Sequence, residues 1–264
     1  MPERQPDGEF FVGYAVATPP GVARFVRRVV AAALAAGAAF ALVAVAAHDP
    51  PAASSFEYGH EREFVGWIRE APVPLLVVPG PACTEVCAAT TSWPLARYGT
   101  KRGAAELVAG LDGRLVRLAG VLVHRGDRTL LDVVPGSLAV LAEAEASAPS
   151  GPAPEARVED LGIHTLTGEV VDGKCHLGVM RPGEGKAHRA CAARCIASGA
   201  PPMLRLLDPD GRERTLLLVG ADGRALNREL LPWVAERVEV TGRVLRVDGD
   251  VLVLHAEPGT YRRR

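Results

Sequence analysis

The sequence predicts a mainly β protein: one transmembrane helix near the N-terminus, then two tandem five-stranded β domains, the second interrupted by a helical Cys/His insertion. Three observations predict it. An uncharged apolar run occupies residues 29–47, strand patterning in 56–141 recurs in 161–264, and the second copy is broken at 172–202 by a stretch rich in Cys and His.

The apolar run "VVAAALAAGAAFALVAVAA" has the length of a short bilayer span, and in lipid its backbone groups require helical pairing. Arg24, Arg27 and Arg28 precede it, whereas the segment after it, "HDPPAASSFEYGHE", has no Lys or Arg before Arg62. This asymmetry places residues 1–28 in the cytoplasm and the rest outside it. A cleaved signal peptide is the rival, since "AVAAHDP" offers small residues to a peptidase, but a leader of 28 residues containing Pro19-Pro20 is long for one.

At 264 residues, 48% hydrophobic and 23% charged, the chain can bury two cores. Its formal net charge of −1 provides no global field for nucleic acid, and 5% aromatic content provides few stacking platforms. Nucleic acid is not an expected partner.

After the apolar run, short Val/Leu-rich segments alternate with polar residues at the strand period, separated by Gly, Asp and Pro. "EFVGWI", "PLLVV", "RLVRLAGVLVH" and "TLLDVV" come first. Then follow "TLTGEVV", "MLRLL", "RTLLLVG", "RVEVTGRVLRV" and "VLVLHA". Between the two sets, 142–160 is biased toward Ala, Pro, Ser and Glu and reads as a linker. Gly120 aligns with Gly242, and after a one-residue insertion Gly126, Asp127 and Leu131 align with Gly249, Asp250 and Leu254. Each half reads as three strands, a short helix, a long strand and a final strand. That order is the order of an OB-type barrel, with two β-sandwich modules as the competing architecture.

The insertion, "GEVVDGKCHLGVMRPGEGKAHRACAARC" and its continuation, holds three of the five cysteines. Its end, "AHRACAARCIASGAPP", predicts a helix stopped by Gly199 and Pro201-Pro202, with His188, Cys191 and Cys195 on one face. Cys175 and His176 come from the preceding loop. Cys175, His176, His188, Cys191 and Cys195 thus form a candidate ligand set for a thiophilic transition metal, zinc or copper. A disulfide from Cys175 to one of the helical cysteines, or thiol redox chemistry, competes with this reading. Cys83 and Cys87, in "PGPACTEVCAATT", suit a local disulfide, or a dithiol exposed for exchange. Signatures of common hydrolases, zinc proteases and nucleotide-binding loops are absent from the sequence, and no catalytic residue is assigned.

Gly168, Asp172, Cys175, His188, Cys191, Cys195, Gly199 and Gly242 form a G-x-x-x-D-x-x-C…H…C-x-x-x-C…G…V-x-V-x-G pattern. In this pattern the second half resembles a poorly characterised group of bacterial secreted or membrane-anchored OB-like proteins. The resemblance implies export and an OB-like fold, and transfers no reaction. The expectation is a single-pass protein of a bacterial cytoplasmic membrane with periplasmic C-terminal domains. It binds the bilayer through one helix and serves as a metal-binding or accessory subunit beside other membrane proteins of a redox or transport complex. A thiol-disulfide oxidoreductase and a scaffold held by structural disulfides are the alternatives.

Overall fold

The computed structural model describes residues 18–47, 53–79, 90–141, 152–207 and 212–264. The chain divides into two compact units, Met1–Pro51 and Ala52–Arg264.

In the first unit, helix α1 (Pro20–Ala46) runs for 27 residues with none buried. At 1.5 Å per residue it is about 40 Å long, enough to cross the apolar part of a bilayer. It begins nine residues before the uncharged run because Pro20 stands in its first turn, where a missing N–H costs nothing, so the three arginines lie on the helix itself. It is a candidate membrane span or signal sequence.

The second unit contains two closed barrels of OB topology. The first is built from β2 (Arg62–Arg69), β3 (Leu75–Pro79), β4 (Thr90–Arg97), β5 (Leu115–Arg125) and β6 (Arg128–Val133). Their order is β5-β2-β3-β4-β6, and pairing of β6 back onto β5 closes the sheet. All contacts are antiparallel except β4 with β6. Helix α2 (Ala105–Val108) lies between the third and fourth barrel strands.

The second barrel repeats this with β8 (Val158–Asp172), β9 (Pro202–Leu207), β10 (Glu213–Val219), β11 (Arg237–Val247) and β12 (Val251–His255). Again the third and fifth strands are parallel, and β12 closes onto β11. Closure of each sheet excludes the open sandwich. Short strands add to the edges: β1 (Ser54–Phe56) and β7 (Ala139–Val140) pair with β5, and β13 (Arg262–Arg263) with β11.

The aligned residues of the repeat have equivalent jobs. A Cβ on Gly120 would collide with Leu131, and one on Gly242 with the His255 carbonyl, so both long strands need glycine where the closing strand crosses closely. The one-residue offset beyond this point is a turn. Arg125 pairs with Arg128 around two residues, whereas Val247 pairs with Val251 around three.

Each barrel has its own apolar core, with Leu76, Leu95 and Leu118 in the first and Leu204, Leu218 and Val240 in the second. A third cluster lies between them, where Leu75, Val123 and Leu130 meet Leu177, Met203 and Leu217. The barrels therefore pack together, whereas two beads on a linker would share no core. β8 begins at Val158, so the last residues of the segment read as linker belong to a strand. Arg157 donates its N–H to Asp248, at 3.1 Å, tying the chain down just before that strand.

Candidate metal centre

The loop from β8 to β9 carries the Cys/His residues; the equivalent connection in the first barrel, from β2 to β3, spans only residues 70–74. It opens with a wide turn at Cys175–Val179 and ends in helix α3 (Arg189–Ala197). The helix stops as the sequence predicts. Gly199 takes φ +92, and the N–H groups of Gly199 and Ala200 close on the carbonyls of Ile196 and Cys195 at 2.9 and 3.0 Å.

Two adjacent i, i+4 rows of α3 have different tasks. Ala192 and Ile196 are buried in the core of the second barrel. Cys191 and Cys195 face Cys175 and Ala200. Burying Ile196 contributes about 1.5–3 kcal/mol, which fixes the rotation of the helix and with it the direction of the thiols.

Cys175, His188 and Cys191 offer ligand atoms within 4.8 Å of one another, and so do Asp172, Cys175 and Cys195. The two triads share Cys175. The Cys175 and Cys195 sulfurs are 4.0 Å apart, and all three cysteines are free thiols, so no disulfide joins them. Two thiolates at about 2.3 Å from a shared ion lie about 3.8 Å apart in a tetrahedral site and about 4.0 Å apart in a trigonal one. The observed spacing fits either geometry without rearrangement.

Asp172 organises the set. One of its carboxylate oxygens accepts the Cys175 N–H at 2.8 Å, and the other lies 3.1 Å from His188 Nε2. A carboxylate that holds one nitrogen of a metal-binding imidazole orients the ring and raises the basicity of the other nitrogen. Asp172 and His188 are both buried.

Burial and electrostatics divide the thiols. The hydrogen bond between Cys175 and Cys195 raises the pKa of Cys175, as do burial and the Asp172 charge. Cys195 moves down, mainly through the same hydrogen bond, helped by Lys101. Lys101 comes from the first barrel, and its Nζ lies 2.7 Å from the Cys191 sulfur, a contact that raises the lysine pKa.

The first barrel holds the insertion elsewhere too. Lys174 Nζ lies 2.8 Å from Asp132 on β6 and donates to the carbonyls of Arg97 and Thr100 at 2.8 and 2.9 Å. Gly103 N–H binds the Ser198 carbonyl at 3.0 Å.

Of the residues singled out from the sequence, Cys175, His188 and Cys191 meet in one triad, and Cys195 joins Cys175 and Asp172 in the other. His176 does not join them. Its Nδ1 lies 3.2 Å from Glu184 and its Nε2 3.1 Å from Glu213, so neither nitrogen faces the sulfurs. Consecutive residues in the turn point apart, and His176 belongs instead to a charge network between the barrels. Cys83 and Cys87 lie outside the described residues. Asp172, Lys101 and Met180, whose thioether is 3.7 Å from Cys191, are parts of the site that sequence reasoning left unassigned as ligands or contacts.

In the neighbouring network, Arg125 of β5 grips Glu213 with bonds of 2.6 and 3.0 Å, and Arg205 adds one at 2.8 Å. Burial pushes the Glu213 carboxyl up, but bonds from His176, Arg125 and Arg205 outweigh it and hold its pKa well below the usual carboxylate range. A depressed folded-state pKa gives stability that is present above the unfolded value, about 4.3, and lost as pH falls below it. Glu213→Gln is expected to flatten the acid limb of stability against pH. Denaturant midpoints measured from pH 3 to pH 8 check this, and equal slopes for variant and wild type would remove Glu213 from the account.

Comparison with protein-family models, curated proteins and solved structures gives no significant match. The functional reading therefore rests on the chain's own residues.

Proposed function

We propose that this chain is a membrane-anchored, extracytoplasmic metal-binding protein that acts as an accessory subunit beside other membrane proteins. The ligands are Cys175, His188, Cys191 and Cys195, and the ion is zinc or copper. The observation that carries this reading is the meeting of two candidate triads at Cys175, one with Cys191 and the Asp172-bonded His188, the other with Asp172 and Cys195. Soft thiolates with imidazole are the donor set such ions prefer, and a carboxylate behind the imidazole is the usual support for a metal-bound histidine. The apolar helix α1, followed by a segment free of basic residues, supports anchorage with the barrels on the outer side. Association with a redox or transport complex is the role we assign, one that a soft-metal site on a membrane-anchored chain would suit.

The 4.0 Å separation of the Cys175 and Cys195 sulfurs favours one second reading, thiol-disulfide exchange through that pair. Elemental analysis and thiol titration of native protein purified without chelators separate the two. The metal reading expects a single bound ion per chain and cysteines that react only after chelation. A metal-free protein with one fast-reacting thiol supports exchange and overturns the metal assignment.

A further inference from the structure

We infer that Met180 is the outermost ligand of a sulfur relay that admits copper(I), a soft monovalent ion, to the buried thiols; this deepens the metal-binding reading and rests on it. The relay is a line of sulfurs that runs inward from solvent. Met180 is 42% exposed, Cys191 is half-buried, and Cys175 and Cys195 are 3% and 0% exposed. The thioether of Met180 lies 3.7 Å from the Cys191 sulfur, and the two inner sulfurs lie 4.0 Å apart. An ion bound first by Met180 can pass to Cys191 and then to the inner thiols by exchange of one sulfur ligand at a time, remaining copper(I) throughout.

Two features select the kind of ion. A thioether is an uncharged soft donor, suited to copper(I) and poorly suited to zinc, which takes thiolate, imidazole and carboxylate. Lys101 places an ammonium 2.7 Å from Cys191, the second station of the relay. Coulomb repulsion scales with the charge of the arriving ion, so a divalent cation meets twice the opposition of a monovalent one at the same distance. Both the sulfur type and the fixed positive charge therefore favour a soft monovalent ion on the way in.

The test uses silver(I), a redox-inert probe of copper(I) sites, and zinc(II) on the intact protein, with uptake followed by thiolate-to-metal absorbance in stopped flow. Met180→Leu keeps volume at an exposed position and removes only the sulfur. The variant is expected to take up silver about tenfold more slowly, while its zinc uptake and its final silver stoichiometry stay at wild-type values. Unchanged silver uptake overturns the relay, and so does equal slowing of both ions, which would mean that shape matters and softness does not. In both of these cases the wild-type protein still binds metal, so the broader reading survives. Wild-type protein that binds neither ion refutes both.

Discussion

Cys195→Ser is expected to abolish metal retention and, with it, all metal-dependent gain in stability. Cys195 is fully buried on the last turn of α3, its carbonyl is fixed by the helix stop, and its sulfur is 4.0 Å from Cys175. A serine hydroxyl occupies nearly the same space, but it is a harder donor and stays protonated at neutral pH, so the set loses a thiolate without losing its packing. An ion that binds only the folded state stabilises it by about 2.7 kcal/mol at a hundredfold excess over its dissociation constant. Wild type should gain this amount on addition of metal, read as a rise in denaturant midpoint, and the variant should gain nothing. Without metal, the two proteins should unfold within about 1 kcal/mol of each other. Equal metal-dependent gains in the two proteins would remove Cys195 from the ligand set.

Lys174→Met is expected to destabilise the fold by about 3–5 kcal/mol, the cost of leaving a buried charge uncompensated. The ion pair between Lys174 and Asp132 joins the insertion to the first barrel, with side chains 4% and 1% exposed. Neither Asp132 carboxylate oxygen has an aligned hydrogen bond among the described residues, so the ammonium is its main compensation. Burial already pushes the Asp132 pKa up against the attraction of Lys174. With the lysine gone, that pKa rises further. A carboxyl raised in the folded state favours folding below its unfolded pKa, about 3.9, and loses that contribution as pH climbs through the folded value. The penalty in Lys174→Met should therefore be smaller at pH 4 than at pH 8, and adding Asp132→Asn should recover much of it. Denaturant midpoints of the two variants at both pH values provide the check. A loss below about 1 kcal/mol, or one independent of pH, would show that the pair does not carry the contact between barrel and insertion.

The barrels were legible in the sequence because their determinants are local. Gly120 and Gly242 mark where the closing strand crosses, and the Gly-Asp turns mark the hairpins. The helix of the insertion was legible for the same reason, through Gly199 and the spacing of its cysteines. Contacts made across long separations were not. Lys101 reaches Cys191 over 90 residues, and Lys174 meets Asp132 through the packing of one barrel on the other. No periodicity announces such pairs. His176 shows the opposite error: proximity in sequence to Cys175 suggested a ligand, but the turn directs its ring to Glu184 and Glu213. Asp172 stood in the motif without a stated role, because its work depends on the fold bringing His188 back to it.

X-ray absorption at the metal edge, on protein loaded with a single equivalent of zinc or copper(I), asks most directly whether the thiols and imidazole hold the ion. A first shell dominated by sulfur at about 2.3 Å, with an imidazole contribution that disappears in His188→Asn, is the expected spectrum. A shell of oxygen and nitrogen without sulfur would contradict the site and the function built on it.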